Sequence, residues 1–259
     1  MSGTRRGGRW GLSAVVLVAM WWSVDATGIG PRGLAEGRAG GVRLARSFLN
    51  PDLSSEFLPL VLTAATETLH ISLAGLLIAV ALGMPLALAI AGNVDAPRAL
   101  QRTAIVTAAA LRGVPELLWA LIFVATVGLG PAAGVYAIGV HGAGLLAKLA
   151  SEQLEAVDPA PVEAVRMAGA GRIGVATLAI VPQSRPGLVS LLLYLWECNI
   201  RTATVVGFVG AGGIGGALDV ALRLFRYEEL ATLVLAVLTL ILVVDALSRA
   251  ARRRVGIAA

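Results

Sequence analysis

PVEAVRMAGAGRIGVATLAIVP, residues 161–182, is the longest stretch in the second half of the chain where polar residues and glycines interrupt strongly apolar segments. Pro161 suits a first helical turn, where its missing N–H is not needed, and Glu163 suits the positive end of a helix dipole. Gly169 with Gly171 can close that helix in a left-handed cap. The stretch therefore predicts a short helix, a turn and a second helix stopping at Pro182. It forms a handle on the cytoplasmic side, between two membrane spans.

Composition supports a membrane setting. Of 259 residues, 57% are hydrophobic and only 14% charged, too few polar side chains to cover a soluble domain. The net charge of +5 is carried by arginine, since Lys148 is the one lysine, and it calls for no nucleic-acid partner. One cysteine, Cys198, and two histidines, His70 and His141, exclude a disulfide framework and leave no Cys/His cluster for zinc.

Outward from the handle, residues 132–149 form a span rich in small residues that permits close helix packing. Gly130-Pro131 turns the chain outside. The apolar run 102–129 is too long for one straight span, and Arg112 to Glu116, with Pro115, breaks it into a helix, a kink and a continuing helix. Residues 66–91 make another span, 92–101 a turn inside, and 25–56 an external loop with one surface helix near 42–49. Residues 11–24 read as a retained signal-anchor span, with Trp21 and Trp22 at the interface; cleavage at Val24-Asp25-Ala26 is the competing reading. After the handle, 187–208 goes out, 209–227 stays near the outer surface and 230–247 returns.

Six spans result. Arg5, Arg6, Arg9, Arg98, Arg102, Lys148, Arg166, Arg172, Arg185, Arg249 and Arg252 to Arg254 fall inside, against Arg32, Arg38, Arg43, Arg46, Arg223 and Arg226 outside. The positive-inside rule then puts both termini and the handle in the cytoplasm.

Gly210, Gly212, Gly213 and Gly215 fit the spacing of a dinucleotide fingerprint, but a membrane-length apolar run follows where that motif needs a strand and a soluble helix. They read instead as close-packing glycines or part of an outer gate. Glu197 and Arg201 stand four apart on one span and can pair on one helix face, either fixing helix packing or lining a path. With an oxyanion cargo, Arg201 and Arg112 would attract it and Asn199 would add an amide contact. Arg112 and Glu116 are also four apart, across Pro115, at a hinge or a packing accommodation. His70 and His141 read as structural, hydrogen-bonded histidines, and Cys198 as a small buried residue.

Glu163, Ala164 and Gly169, closed by Pro182, resemble the EAA loop of ABC-importer permeases, with Val165, Ala179 and Val181 in place of the usual Ala, Ile and Leu. Together with WALIFVATVGLGP from Trp119, ECNIRTATVV from Glu197, GFVGAGGIG from Gly207 and LRLFRYEELAT from Leu222, the chain resembles the PhnE-type permeases of phosphonate importers. The resemblance implies an all-α, MetI-like type I fold. Residues 1–60 would hold the tail, first span and external loop, 61–254 the permease domain with its coupling loop at 151–186, and 255–259 a tail. It also implies a homodimer in the bacterial inner membrane, an external substrate-binding protein and a pair of ATPase subunits docked at the handle. The chain would carry no cofactor and no catalytic or metal site of its own, and the partner ATPase would use the ATP. Phosphonate, phosphite or hypophosphite is the cargo so implied; methionine, sulfonate or an osmolyte is the alternative within the superfamily, and a membrane enzyme or autonomous channel the alternative outside it.

Overall fold

The computed structural model describes residues 4–27 and 31–254, in two compact units, Met1–Pro51 and Asp52–Ala259. The tail 255–259 lies outside the described residues. In the first unit, α1 (Thr4–Ala26) contains the apolar stretch Ser13–Ala26, shorter than a full span, with Trp21 and Trp22 exposed. The surface helix of this unit, α2 (Pro31–Ser47), starts well before the expected residue 42 because Pro31 takes a first-turn position, where proline is tolerated.

The second unit opens with α3 (Leu58–Ile90), which starts earlier than expected, with Pro59 again within the first turn. Next come α4 (Arg98–Gly113) and α5 (Glu116–Val127), bent by 85° at the junction. The expected kink with a continuing helix is thus two separate helices. Val114, preceding Pro115, is held extended (φ −89°, ψ 123°), which breaks the helix outright. The corner is pinned: His141 Nδ1 donates to the Val114 carbonyl at 3.0 Å, and Trp119 Nε1 reaches back to the Leu111 carbonyl at 3.1 Å. His141 is therefore structural, whereas His70 is exposed on α3.

α6 (Pro131–Glu155) is the centre of the bundle. It buries 56% of its apolar span, against 22–28% for the other long helices, so those each leave a face uncovered. Its small residues let α3 approach closely: a Cβ at Gly139 would lie 2.6 Å from Ile78 Cγ2. α7 (Pro159–Met167) follows, and then a long helical run, Arg172–Ala211, continuous until it kinks at Val209 and Gly210. This run comprises α8 (Arg172–Val175), a π segment Ala176–Ile180, α9 (Val181–Val206) and a π turn Gly207–Ala211.

Pro182 therefore does not stop the second helix of the handle. Its ring would crowd the carbonyl one turn back in an α-helix, but the backbone widens there, with the Val181 N–H bonding to the Ala176 carbonyl five residues behind. α10 (Gly213–Arg223) and α11 (Tyr227–Arg254) complete the chain. Among the described residues four helical segments are long and apolar enough to cross a membrane, five with the bent α4–α5 pair, where six were expected, because the apolar stretch Ser13–Ala26 is short for a span; no described residue forms a strand. One apolar cluster (Ala87, Leu146, Leu154, Val162, Ile180, Leu195) lies toward the handle; another (Ile71, Ile138, Ala203, Val206, Ala211) lies toward the glycine turn.

Candidate functional site

The handle is built by local rules. Asp158 caps α7, its Oδ1 accepting from Ala160 N at 3.0 Å, so the helix begins at Pro159 and not at Pro161. At the far end Gly169 N donates to the Arg166 carbonyl at 2.9 Å and Ala170 N to the Val165 carbonyl at 3.3 Å, the paired bonds of a Schellman cap. Gly169 sits at φ +89° with open space around it, so glycine is required there for its backbone. Gly171, by contrast, is extended and precedes α8.

Val162 is buried, rooting α7 in the core, while Glu163, Ala164, Met167 and Ala168 share an uncovered face; Met167 is 87% exposed. A charged group and two small residues around a bare methionine can receive a partner's surface. Pro182 is also exposed, on the run leading into α9.

Arg166 ties the handle to the rest of the bundle, a role the sequence did not disclose. Its Nη2 lies 2.6 Å from Asp95 Oδ2 and 2.6 Å from the Asn93 carbonyl. The same turn is fastened to the end of α6, Gly92 N donating to Glu155 Oε1 and Asn93 Nδ2 to the Leu154 carbonyl, both at 2.7 Å. These contacts join α7 through the α3–α4 turn to the end of α6.

On α9 the expected Glu197–Arg201 contact is absent. Glu197 Oε1 instead meets Arg252 Nη2 of α11 at 2.5 Å, the same nitrogen donating to Ser248 Oγ at 3.0 Å. Residues four apart share a face only if neither has a better long-range partner, and Arg252 takes Glu197 into a largely buried pair (side chains 11% and 20% exposed). Arg201 is exposed, with no carboxylate within 4 Å among the described residues. Asn199 is buried and donates to the Ser72 carbonyl at 3.3 Å, clasping α9 to α3. Cys198 is partly exposed instead of buried, and Arg112 is exposed beside the α4–α5 corner.

The uncovered face of α9 runs through Ser190, Tyr194, Cys198, Arg201, Val205 and Phe208, spaced by threes and fours. Near the handle it opens into a cavity of about 430 Å³ lined by Gln153, Ser190, Tyr194 and Arg252.

At the other end of α9 the glycines make a tight reversal. Gly210, Gly212 and Gly213 have φ of +95°, +78° and +65°, a run that side chains would strain. Gly130 N donates to the Gly210 carbonyl at 2.8 Å, and Thr68 Oγ1 accepts from Ile214 N at 2.9 Å, capping α10 from α3. A Cβ at Gly215 would overlap the Thr204 carbonyl oxygen, so α9 and α10 touch backbone to backbone.

Residues 79–257 match the family described as binding-protein-dependent transport system inner membrane component. The chain is 40% identical to the phosphite transport system permease protein PtxC of Stutzerimonas stutzeri over 244 residues, 92% of this chain and 85% of that protein. It is 38% identical to the phosphate-import permease protein PhnE of Mycolicibacterium smegmatis over 74% of this chain and 36% of that one. Among solved structures, the inward-facing MetNI methionine ABC transporter superposes with a TM-score of 0.71 at 20% identity, covering 78% of this chain and 99% of that chain. An amino acid ABC transporter with histidines gives 0.65 at 21%, covering 77% and 95%. These two likenesses establish the fold.

Proposed function

The chain belongs to the family of binding-protein-dependent transport system inner membrane components, and on that premise we propose that it is the permease subunit of an ATP-driven importer of phosphite, phosphonate or a closely related phosphorus oxyanion. Two copies would enclose the path. A pair of ATPase subunits would dock on the cytoplasmic side, and an external binding protein would deliver the cargo. The chain has no G-x-x-x-x-G-K-[ST] sequence, so the nucleotide site belongs to the docked subunits. The arginine-rich end of α11 supports a cytoplasmic C-terminus.

The observation that carries this reading is the handle: a capped helix, rooted by Val162 and tied through Arg166 to the turn at Asn93 and Asp95, that leaves Glu163, Ala164 and Met167 bare. An autonomous channel has no use for such a surface. Closure of the ATPases would draw the two handles together, and the Asp95 and Asn93 contacts of Arg166 would carry that movement into the bundle. The glycine reversal at Gly210 to Gly215 would form the outer gate. Arg112, Glu197, Asn199 and Arg201 are the candidates around the path, Asn199 and Glu197 by holding α9 in place. The phosphorus oxyanion comes from the names of the relatives; methionine, sulfonate or an osmolyte is the alternative cargo.

Co-purification tests the handle. The native chain extracted in detergent is expected to bring an ATPase with it, and Glu163→Lys and Gly169→Asp are each expected to lose it while remaining folded. Retention of the ATPase by both variants would remove the docking role of α7.

A further inference from the structure

The partner exchange on α9 isolates a charge. Glu197, the carboxylate nearest in sequence to Arg201, is held by Arg252, and no other carboxylate lies within 4 Å of Arg201 among the described residues. Arg201 is seven residues, or about 10 Å, before Phe208 in the apolar run Arg172–Ala211, which is long enough to cross a membrane. Hydrocarbon does not accept such a group, and ionisable side chains in spans face bundle interiors or water-filled cavities. On the handle side of Arg201 the face agrees: Ser190, Tyr194 and Cys198 are small or polar and lead down to the cavity at Gln153 and Arg252, while Val205 and Phe208 make the face apolar only toward the glycine turn.

We propose that this face of α9 is wetted and that Arg201 is the contact for the anionic cargo, its planar fork taking two oxygens of a tetrahedral oxyanion. The assignment rests on the permease reading above and adds to it the residue that selects charge. An arginine without a carboxylate partner at this level of α9 attracts an anion without burying it in a tight cluster, as a path that must also release its cargo requires. Arg252 lies on the same wall, but Glu197 neutralises it, which confines the attraction to one level of the helix.

Cys198, the one cysteine of the chain, sits one turn from Arg201 on this face and serves as the reporter. The assembled transporter in vesicles is treated with anionic sulfonatoethyl and cationic trimethylammonioethyl methanethiosulfonates, reagents that do not enter lipid. Both are expected to modify Cys198, the anionic one faster by on the order of tenfold. Arg201→Gln should abolish that preference and Arg201→Lys should keep it. Added phosphite should slow labelling of the native complex and leave Arg201→Gln unaffected. A Cys198 that neither reagent reaches in any nucleotide state, or a preference unchanged in Arg201→Gln, would overturn the proposal. A preference that depends on Arg201 but ignores every added oxyanion would also overturn it, since the anion held would be a lipid phosphate. If sulfate protects Cys198 where phosphite does not, and no phosphite is taken up, the cargo named above fails while Arg201 stands as the anion contact.

Discussion

Two helices of similar length, α9 with 26 residues and α11 with 28, each leave one face uncovered, and the two faces differ in kind. Along the middle of α11 the exposed side chains are Leu235, Leu238, Thr239, Leu242, Val243, Ala246 and Leu247, all but Thr239 apolar, the composition of a wall against acyl chains. On α9 the exposed residues of this face are Tyr194, Arg201, Val205 and Phe208, with Ser190 and Cys198 partly exposed between the turns, so polar groups and a charge interrupt the apolar ones. Both helices pass as spans on mean hydropathy, so hydropathy alone does not tell lipid from path. The residues at the exposed helical phase do, because lipid charges a high cost for what water accepts.

The strongest way to break the comparison is through the pair that joins the two helices. Glu197→Gln would leave Arg252 charged, largely buried and short of its anion, and breaking such a pair by removing one partner costs about 3–5 kcal/mol. The apparent Tm of the solubilised protein should fall further than in any other single variant of these two helices. Adding Arg252→Met should recover most of the loss, since removing both charges also removes the uncompensated one. If Glu197→Gln alone is neutral, Glu197 pairs with Arg201 in solution and the contrast between the faces collapses.

A second test places one carboxylate on each face. Leu238→Asp would put a charge against hydrocarbon near the middle of α11, at about 2.5–3.5 kcal/mol, and membrane-integrated yield should drop sharply. Val205→Asp, on the uncovered face of α9 and one turn beyond Arg201, should be inserted at close to native yield. It should also erase the preference of Cys198 for the anionic reagent by neutralising the arginine. Equal losses of yield would mean that both faces meet lipid.

Much of this was legible in the sequence because it depends on local chemistry. The apolar runs located five of the six expected spans, one of them as the bent α4–α5 pair, Pro115 located the break, and Gly169 located the cap of α7. The misreadings share one cause: a local rule yielded to a contact distant in sequence or to backbone adaptation. Glu197 and Arg201 have favourable i, i+4 spacing, yet Arg252, 55 residues away, takes the carboxylate. Pro182 is a helix breaker by rule, yet the π segment Ala176–Ile180 absorbs it. Arg166 counted only toward the positive-inside bias, and nothing in the spacing of Asn93 and Asp95 announced that they would hold it. The exposure of Arg201 followed from the first of these and could not precede it.

The smallest effects concern how α9 is held in phase while α11 is not so constrained. α11 contains no glycine and packs through Leu230, Leu233 and Val244, side chains that can adjust. α9 meets α10 through backbone at Thr204 and Gly207 against Gly215, where a Cβ would overlap the Thr204 carbonyl oxygen. Gly215→Ala must therefore push the helices apart, an overpacking cost of about 1–3 kcal/mol, and it should rotate or shift the α9 face enough to change Cys198 labelling. The next residue gives the control. A Cβ at Gly216 meets nothing closer than the Gly207 carbonyl oxygen at 3.8 Å, so Gly216→Ala should leave labelling unchanged and gain up to about 1 kcal/mol of helix propensity. Thermal melts and labelling rates of this neighbouring pair separate close helix contact from the general cost of altering glycines. If both variants behave alike, the α9 face is fixed by something other than its contact with α10, and the Asn199 bond to the Ser72 carbonyl becomes the next contact to remove.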